Sequence, residues 1–504
     1  MMMKYRLMTI AIAGMGILLS TGFLGSGVPQ AVAAEYPEMI SLDSEVGASG
    51  TQTDDDDLAK LKAQVEDLVK KIPPDKVPIL GGRVGAEIAE RLRFQGDLRL
   101  RTEYNKNRNF SDGADRYRQR MRLRFGLTAQ VTDDLTAGFR MGSGNPNFVN
   151  TAEINLSEGF SRKTFLNLDN AYLRYKPNEW STTTGGKFGV PWWRPSAGNM
   201  TAEIVWDNDV QPEGLVQQFH RKDVGIFSEL GLTGGVLVVD QFDEAKDFDD
   251  QGVRRLDIGN KNPGNLMFGG QALASLDTPA LEEFGLTKGK AKFGAAFYAY
   301  ENPDSIAGGQ LQAREGPLGN MTNKLNGPMN ADGTGRMAKC NGDGKTRDCS
   351  FVSDYQILEI NGQYDAEFMG LPIGFFFDVA HNFGAKAGTT FAGKEVGKEN
   401  DAFQVYATVG KLRKPGDWLI GYGYADIEAD AAIGQYNSDD LQFTNTQTQT
   451  IFLEYQVQKN VSLIWDTYLQ YRENEDLSSF QGNSSMDLDN PMRIKSRINV
   501  LVKF

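Results

Sequence analysis

Read at every second position, residues 92–131 restrict the fold more than any other stretch. Positions 92, 94, 98, 100 and 104 are Leu, Phe, Leu, Leu and Tyr, while Arg93, Arg99 and Arg101 take the other parity. Further on, Tyr117, Met121, Leu123, Phe125, Leu127, Ala129 and Val131 alternate with Arg116, Arg118, Arg120, Arg122 and Arg124. A period of two puts the apolar set on one face of a strand and the guanidinium groups on the other. A helix would turn successive arginines by about 200° and scatter them. Strands of soluble proteins run about 5–6 residues, whereas a tilted strand crossing a bilayer needs about 9–11. The length of this alternation points to a hairpin with one face on lipid and the other on water inside a closed barrel. A long amphipathic hairpin of a soluble β-domain is the competing reading of these two runs alone.

The rest of the chain is consistent with a barrel. A mean hydropathy of -0.41 excludes a bundle of membrane helices and suits strands that give half their residues to water. Fifty-six glycines suit many strands with tight turns. Two Cys and two His leave little material for a zinc, haem or iron–sulfur centre, so neither metal nor cofactor is expected. A net charge of -13 argues against nucleic acid as a partner.

Residues 1–34 read as a secretory signal peptide. Lys4 and Arg6 precede the apolar Leu7–Leu19, and Ala31-Val-Ala33 before Ala34 offers a small-residue cleavage site. A retained membrane anchor is the alternative. Residues 35–90 form a linker expected in the periplasm. Within it Leu58, Leu61, Val65, Leu68 and Ile72 repeat at coiled-coil spacing, between Asp54–Asp57 and Pro73–Pro74. Two heptads are marginal alone, so this helix is expected to assemble with copies of itself or with another partner. Cell-wall contact through residues 54–72 is one such role; a solvated linker helix is the plain alternative.

From 91 to 504 the alternation recurs, predicting strands at 91–105, 115–131, 134–143, 165–176, 181–190, 213–222, 225–242, 264–276, 289–301, 353–368, 372–384, 400–412, 417–430, 446–458, 461–474 and 492–504. That is sixteen strands, the even number that bacterial single-chain barrels require. Short links at 132–134, 414–417 and 459–460 alternate with long ones at 143–164, 191–212, 302–352 and 475–491. Outer-membrane barrels alternate in this way, with short periplasmic turns and long outer loops; a soluble sandwich has no reason to. The chain ends inside an amphipathic strand, with Met492, Ile494, Ile498, Val500, Val502 and Phe504 on one parity and Arg493, Lys495, Arg497, Asn499 and Lys503 on the other. An aromatic terminus of this kind resembles the signal that such barrels present to their assembly machinery. The expected fold is an all-β transmembrane antiparallel barrel of about sixteen strands, in contact with outer-membrane lipid.

Several stretches resemble the putative porins of Gram-negative bacteria, a family similar in architecture to the general sixteen-stranded porins. They are Gly96-Asp-Leu-Arg-Leu-Arg101, Arg118-Gln-Arg-Met-Arg-Leu-Arg-Phe-Gly-Leu127, Phe160-Ser-Arg-Lys163, Asn170-Ala-Tyr-Leu-Arg-Tyr175, Gly185-Gly-Lys-Phe188, Val205-Trp-Asp-Asn-Asp209, Pro212-Glu-Gly214 and the last strand. The resemblance implies passive diffusion of small hydrophilic solutes through a water-filled pore, in a homotrimer. It names no solute and carries over no defined binding site.

In a closed barrel the first and last strands are neighbours, so one wall collects Arg93, Arg99, Arg101, Arg116, Arg118, Arg120, Arg122, Arg124, Arg493, Lys495 and Arg497, with Arg140 on the third strand. Such a wall draws anions. Asp97 and Glu103 share the face, and about half of the arginines are expected to brace the structure rather than meet solute. The connection 191–212 is the expected constriction loop. It carries Trp192, Trp193, Arg194, Glu203, Asp207 and Asp209, with Glu213 just beyond. Folded inward, it would set carboxylates against the arginines and create a transverse field. Placement of Trp192 and Trp193 in an interfacial aromatic girdle is the alternative. Cys340 and Cys349 are expected to form a disulfide pinning the longest loop, given an exported location.

Two other function classes compete. A barrel enzyme would need a serine partnered by a histidine, and neither His220 nor His381 has a recognisable one in the sequence. A barrel that tethers the outer membrane to the cell wall through residues 54–72, with little transport, is the remaining alternative.

Overall fold

Each run with period two becomes a strand in the computed structural model, which describes residues 91–108, 115–144, 149, 151–156, 166–240, 265–278, 283, 285–303, 306, 320–321, 351–389, 395–474, 477 and 492–504. Sixteen long strands follow in order: β1 (Leu92–Arg108), β2 (Arg116–Gln130), β3 (Leu135–Ser143), β4 (Leu166–Asn178), β5 (Ser181–Lys187), β6 (Glu213–Val224), β7 (Phe227–Asp240) and β8 (Asn265–Asp277). The second half comprises β9 (Leu286–Tyr300), β10 (Gln356–Phe368), β11 (Leu371–Asn382), β12 (Asp401–Gly410), β13 (Trp418–Ile427), β14 (Thr446–Gln458), β15 (Val461–Tyr471) and β16 (Met492–Lys503).

Each strand pairs antiparallel with the next, and β16 returns to β1 with Val500 opposite Leu100. The sheet therefore closes into a barrel with no free edge, the condition for spanning a bilayer with strands. The closure is sealed at the chain's end. Phe504 and Gly96 exchange backbone hydrogen bonds of 2.7 and 2.9 Å, and the Phe504 ring stacks on Phe94 with centroids 6.1 Å apart. A Cβ at position 96 would lie 2.6 Å from that ring, so only glycine admits it.

The outer surface is apolar. Phe94, Leu100, Leu168, Leu215, Phe293, Phe375, Leu453, Trp465 and Ile498 are all exposed there, as lipid contact requires.

The interior is asymmetric. Lumen-facing positions of β6 to β13 carry Val216, Leu237, Met267, Tyr298, Tyr300, Ile357, Ala380, Ala402, Ala425 and Ile427. They join Trp192, Ile204, Val205, Trp206 and Val210 from the β5–β6 connection, and Ala431, Ala432, Ile433 and Leu441 from the β13–β14 connection, in one apolar cluster. Two connections thus fold inward and fill that half of the lumen. Each fully buried large side chain contributes about 1.5–3 kcal/mol, which holds both loops in place. The opposite wall, β16–β1–β2, keeps its charges and faces the open part.

Some expected boundaries move. The strand expected at 181–190 ends at Lys187 because Phe188 turns into the apolar cluster. The strand expected at 417–430 ends at Ile427, where the chain leaves the wall for the lumen. Long connections also include 383–400 and 428–445, beyond the four read from the sequence. The signal peptide, the coiled-coil helix and Cys340 with Cys349 lie outside the described residues.

Candidate functional site

The arginines of β1 and β2 form a ladder because their strands pair in register, Arg99 opposite Arg122 and Arg101 opposite Arg120. Like charges so close need carboxylates between them, and each level has one. Glu103 bonds Arg118 and lies 3.2 Å from Arg120. Asp97 lies 2.9 Å from both Arg122 and Arg124. Glu153, from the β3–β4 connection, accepts Arg99 Nε at 2.6 Å and sits 3.8 Å from Arg101. Burial raises the Glu153 pKa, but Arg101, Arg99 and Arg120 outweigh it and hold the carboxyl at about 2.

The inward loop meets this ladder at its carboxylates. Asp209 Oδ1 lies 3.0 Å from Arg124 and 3.6 Å from Arg122. Burial opposes ionisation of Asp209, yet Arg122 and Arg124 keep its pKa below the usual range. Burial, then Glu203 and Asp209, push Asp207 well above that range. Burial also pushes Glu203 up to about 7, against the pull of Arg194. One loop therefore holds a firmly ionised carboxylate and two reluctant ones.

Glutamines on the far wall dock the loop. Gln271 accepts the Trp193 N–H at 2.7 Å and donates to the Trp193 carbonyl at 2.8 Å. Gln363 spans both backbone groups of Ser196, and Gln404 accepts the Glu203 N–H at 3.1 Å. Trp192 packs on Tyr298 at 5.5 Å, over a wall position where Gly269 leaves room for the indole. Trp193 lies under Lys292 Nζ at 5.2 Å. Both tryptophans face the lumen side of the wall rather than a girdle. Arg194 bonds the Trp206 carbonyl and donates to Asn208 Oδ1 at 2.7 Å. Glu213, at the start of β6, pairs with Lys187 at 2.7 Å.

Sequence reasoning missed the second inward connection, residues 428–445. It brings Asp440 against Lys495 Nζ at 2.7 Å and against Arg497, which also reaches Asp466 at 2.5 Å. Burial disfavours the Asp440 carboxylate, but Arg497 and Lys495 hold it well below the ordinary range. Its sequence is rich in Asp, Asn, Gln and Ser, like a solvated loop. The available signal was Ala431-Ala-Ile433 beside wall strands with apolar residues on both parities, such as Ala295-Ala-Phe-Tyr-Ala-Tyr300.

Between ladder and loops lies a cavity of about 320 Å³. Its lining includes Arg99, Arg101, Arg122, Arg124 and Arg140 and, facing them, Glu203, Asp207, Asp209, Asp439 and Asp440. Arg140 is also paired with Asp169 at 2.6 Å. The other expected arginines are placed elsewhere. Arg118, Arg120, Lys495 and Arg497 are held by Glu103, Asp440 and Asp466. Arg493 donates to Asn105 Oδ1 at 3.2 Å. Arg93 and Arg116 are exposed towards opposite ends of the barrel.

Both histidines pair with acids: His220 with Glu229 at 3.3 Å and His381 with Asp401 at 2.7 Å. Among the described residues, no group of three or more His, Cys, Asp or Glu side chains is arranged to hold a metal ion.

A closed sixteen-stranded barrel, apolar outside and narrowed within by inward loops, has the architecture of an outer-membrane porin. The putative porin family profile matches residues 106–472, most of the chain, and the protein belongs to that family. OprB of Pseudomonas putida superposes with a TM-score of 0.47 at 11% identity, covering 84% of this chain and 97% of its own. An anion-selective porin from Comamonas acidovorans gives 0.40 at 11% identity, covering 82% and 99%. The outer membrane channel DcaP of Acinetobacter baumannii gives 0.38 at 13% identity, covering 82% and 97%. No curated protein sequence matches the chain.

Proposed function

We propose that the protein lets small hydrophilic solutes and ions diffuse passively across the outer membrane through the slot between the arginine ladder and the two inward loops. The observation that carries this reading is the cavity itself, lined by five guanidinium groups on one side and five carboxyl groups on the other. Opposed charges at a narrow point make a transverse field that orients dipolar solutes. The formal charges balance, but burial and neighbouring carboxyls weaken the ionisation of Glu203 and Asp207, as burial and Asp440 do that of Asp439. The slot therefore favours anions mildly at neutral pH. Purified protein in planar bilayers is expected to give stepwise conductance that rises with salt. A barrel that inserts and stays electrically silent would contradict the reading.

The working unit proposed is a homotrimer in outer-membrane lipid, exported through residues 1–34, with residues 35–90 in the periplasm and Phe504 read by the barrel assembly machinery. The second reading, a cell-wall tether through residues 54–72, rests on the coiled-coil seam and is compatible with a pore. Deleting 54–72 should weaken oligomer or cell-wall association and leave conductance per barrel unchanged; unaltered assembly and attachment would reduce the segment to a linker.

A further inference from the structure

Along the β1–β2 ladder one guanidinium is left short of a counter-charge. Arg99, Arg101, Arg118, Arg120, Arg122 and Arg124 share four carboxylates, those of Glu153, Glu103, Asp97 and Asp209. All but Arg101 lie within 3.2 Å of a carboxylate oxygen. The oxygen nearest to Arg101 is Glu153 Oε1 at 3.8 Å, and it is already bonded to Arg99. Arg101 Nε donates to the neutral Asn499 at 2.6 Å, and its two Nη groups meet no hydrogen-bond acceptor among the described residues. Yet Arg101 is only 4% exposed, and it lines the slot.

A charge buried this deeply needs compensation. The acids across the slot do not give it. Asp440 is taken by Lys495 and Arg497, and burial keeps Glu203, Asp207 and Asp439 reluctant to ionise. A guanidinium does not escape by losing its proton, because its pKa stays above about 12. Water in the slot solvates the group but carries no charge. The counter-charge therefore comes with the solute. With Nε occupied, Arg101 offers its Nη1–Nη2 edge, whose paired N–H groups match two oxygens of a carboxylate or phosphate. The cavity of about 320 Å³ is at the small end of ligand sites, which run roughly 300–1,000 Å³.

We propose that Arg101 docks small oxyanions in the slot, so that solutes bearing a carboxylate or phosphate group bind saturably on their way through. This rests on the reading of the slot as the solute path and adds a binding step to it. Arg120 is the internal control. It stands directly opposite Arg101 in the β1–β2 register and is 6% exposed, but Glu103 holds it and it does not line the cavity.

Full-length protein in detergent, titrated calorimetrically with succinate and separately with inorganic phosphate, is expected to bind a single ion per chain. Whichever anion saturates identifies the group recognised. Arg101→Gln should weaken that binding about tenfold or more, as loss of a hydrogen bond to a charged group does. Arg120→Gln, which leaves Glu103 paired with Arg118, should keep it. Thermal midpoints check folding on the same samples. Arg101→Gln removes an under-paired buried charge, so its midpoint without ligand should equal or exceed that of the wild type. The bound anion should raise the midpoints of the wild type and Arg120→Gln only. Absence of saturable binding by either anion, equal losses in the two variants, or an unliganded Arg101→Gln midpoint well below the wild type's overturns the proposal. Conductance without binding sinks the docking step and spares the pore, whereas binding in an electrically silent barrel does the reverse.

Discussion

The slot's selectivity should respond to pH through Glu203. Its carboxylate lines the cavity, accepting from Ser438 Oγ at 2.9 Å and from the Asn208 N–H at 3.2 Å. Burial pushes its pKa up to about 7. Below that value the carboxyl is neutral, so the slot loses negative charge and shifts towards anions as the pH falls. Between pH 8 and pH 6 the ionised fraction of a group with that pKa drops from roughly 90% to roughly 10%. A unit charge about 7 Å from the ion path contributes roughly 0.6 kcal/mol at the dielectric of water. Salt at 0.1 M screens about half of that. The charge acts oppositely on cation and anion, so the permeability ratio should change about two- to fivefold. Reversal potentials under a potassium chloride gradient at the two pH values measure this. Glu203 and Asp207 titrate as a pair, so the informative variant is Glu203→Gln with Asp207→Asn, in which the shift should vanish. A double variant that keeps the wild-type shift would refute the assignment.

Asp440 should matter for stability more than for selectivity. Asp440→Asn leaves Lys495, 2% exposed, without the carboxylate it pairs with, and breaking a buried pair costs about 3–5 kcal/mol. The urea unfolding midpoint should fall accordingly; a wild-type midpoint would mean that the second inward loop is not held by this contact. Gln271→Ala removes both hydrogen bonds to Trp193, each contributing about 1 kcal/mol. Open-channel noise and mean conductance should rise in single-channel records, and unchanged traces would show that the aromatic packing alone fixes the loop.

Much of this architecture is legible in the chain because lipid and water impose period two on every wall strand. Leu92–Arg108, Arg116–Gln130 and Met492–Lys503 match the alternation closely, and so do the shared wall and the arginine ladder. Periodicity does not say which charge meets which. Arg120 and Arg124 look alike in sequence, yet Arg120 is held by Glu103 whereas Arg124 reaches Asp209 in the loop. The filled half of the lumen was harder to read for a different reason. A strand such as β9, flanked by lipid on one side and by a protein plug on the other, is apolar on both faces and resembles a weakly patterned one. The loop at 428–445 owes its position to that plug, and its backbone bends through left-handed conformations at Gln442, Phe443 and Asn445. Asn445 is a residue type that tolerates this conformation, but Gln442 and Phe443 give no warning of the turn.

The central claim is that solutes pass between the ladder and the inward loops. Asn199 lines the cavity at the loop's tip, so Asn199→Cys, with Cys340 and Cys349 replaced by Ser, places a unique thiol in the path. Adding a bulky thiol reagent to an open channel in a planar bilayer should lower its conductance in steps, one for each barrel modified. Complete labelling with conductance unchanged would show that the current runs elsewhere and contradict the account.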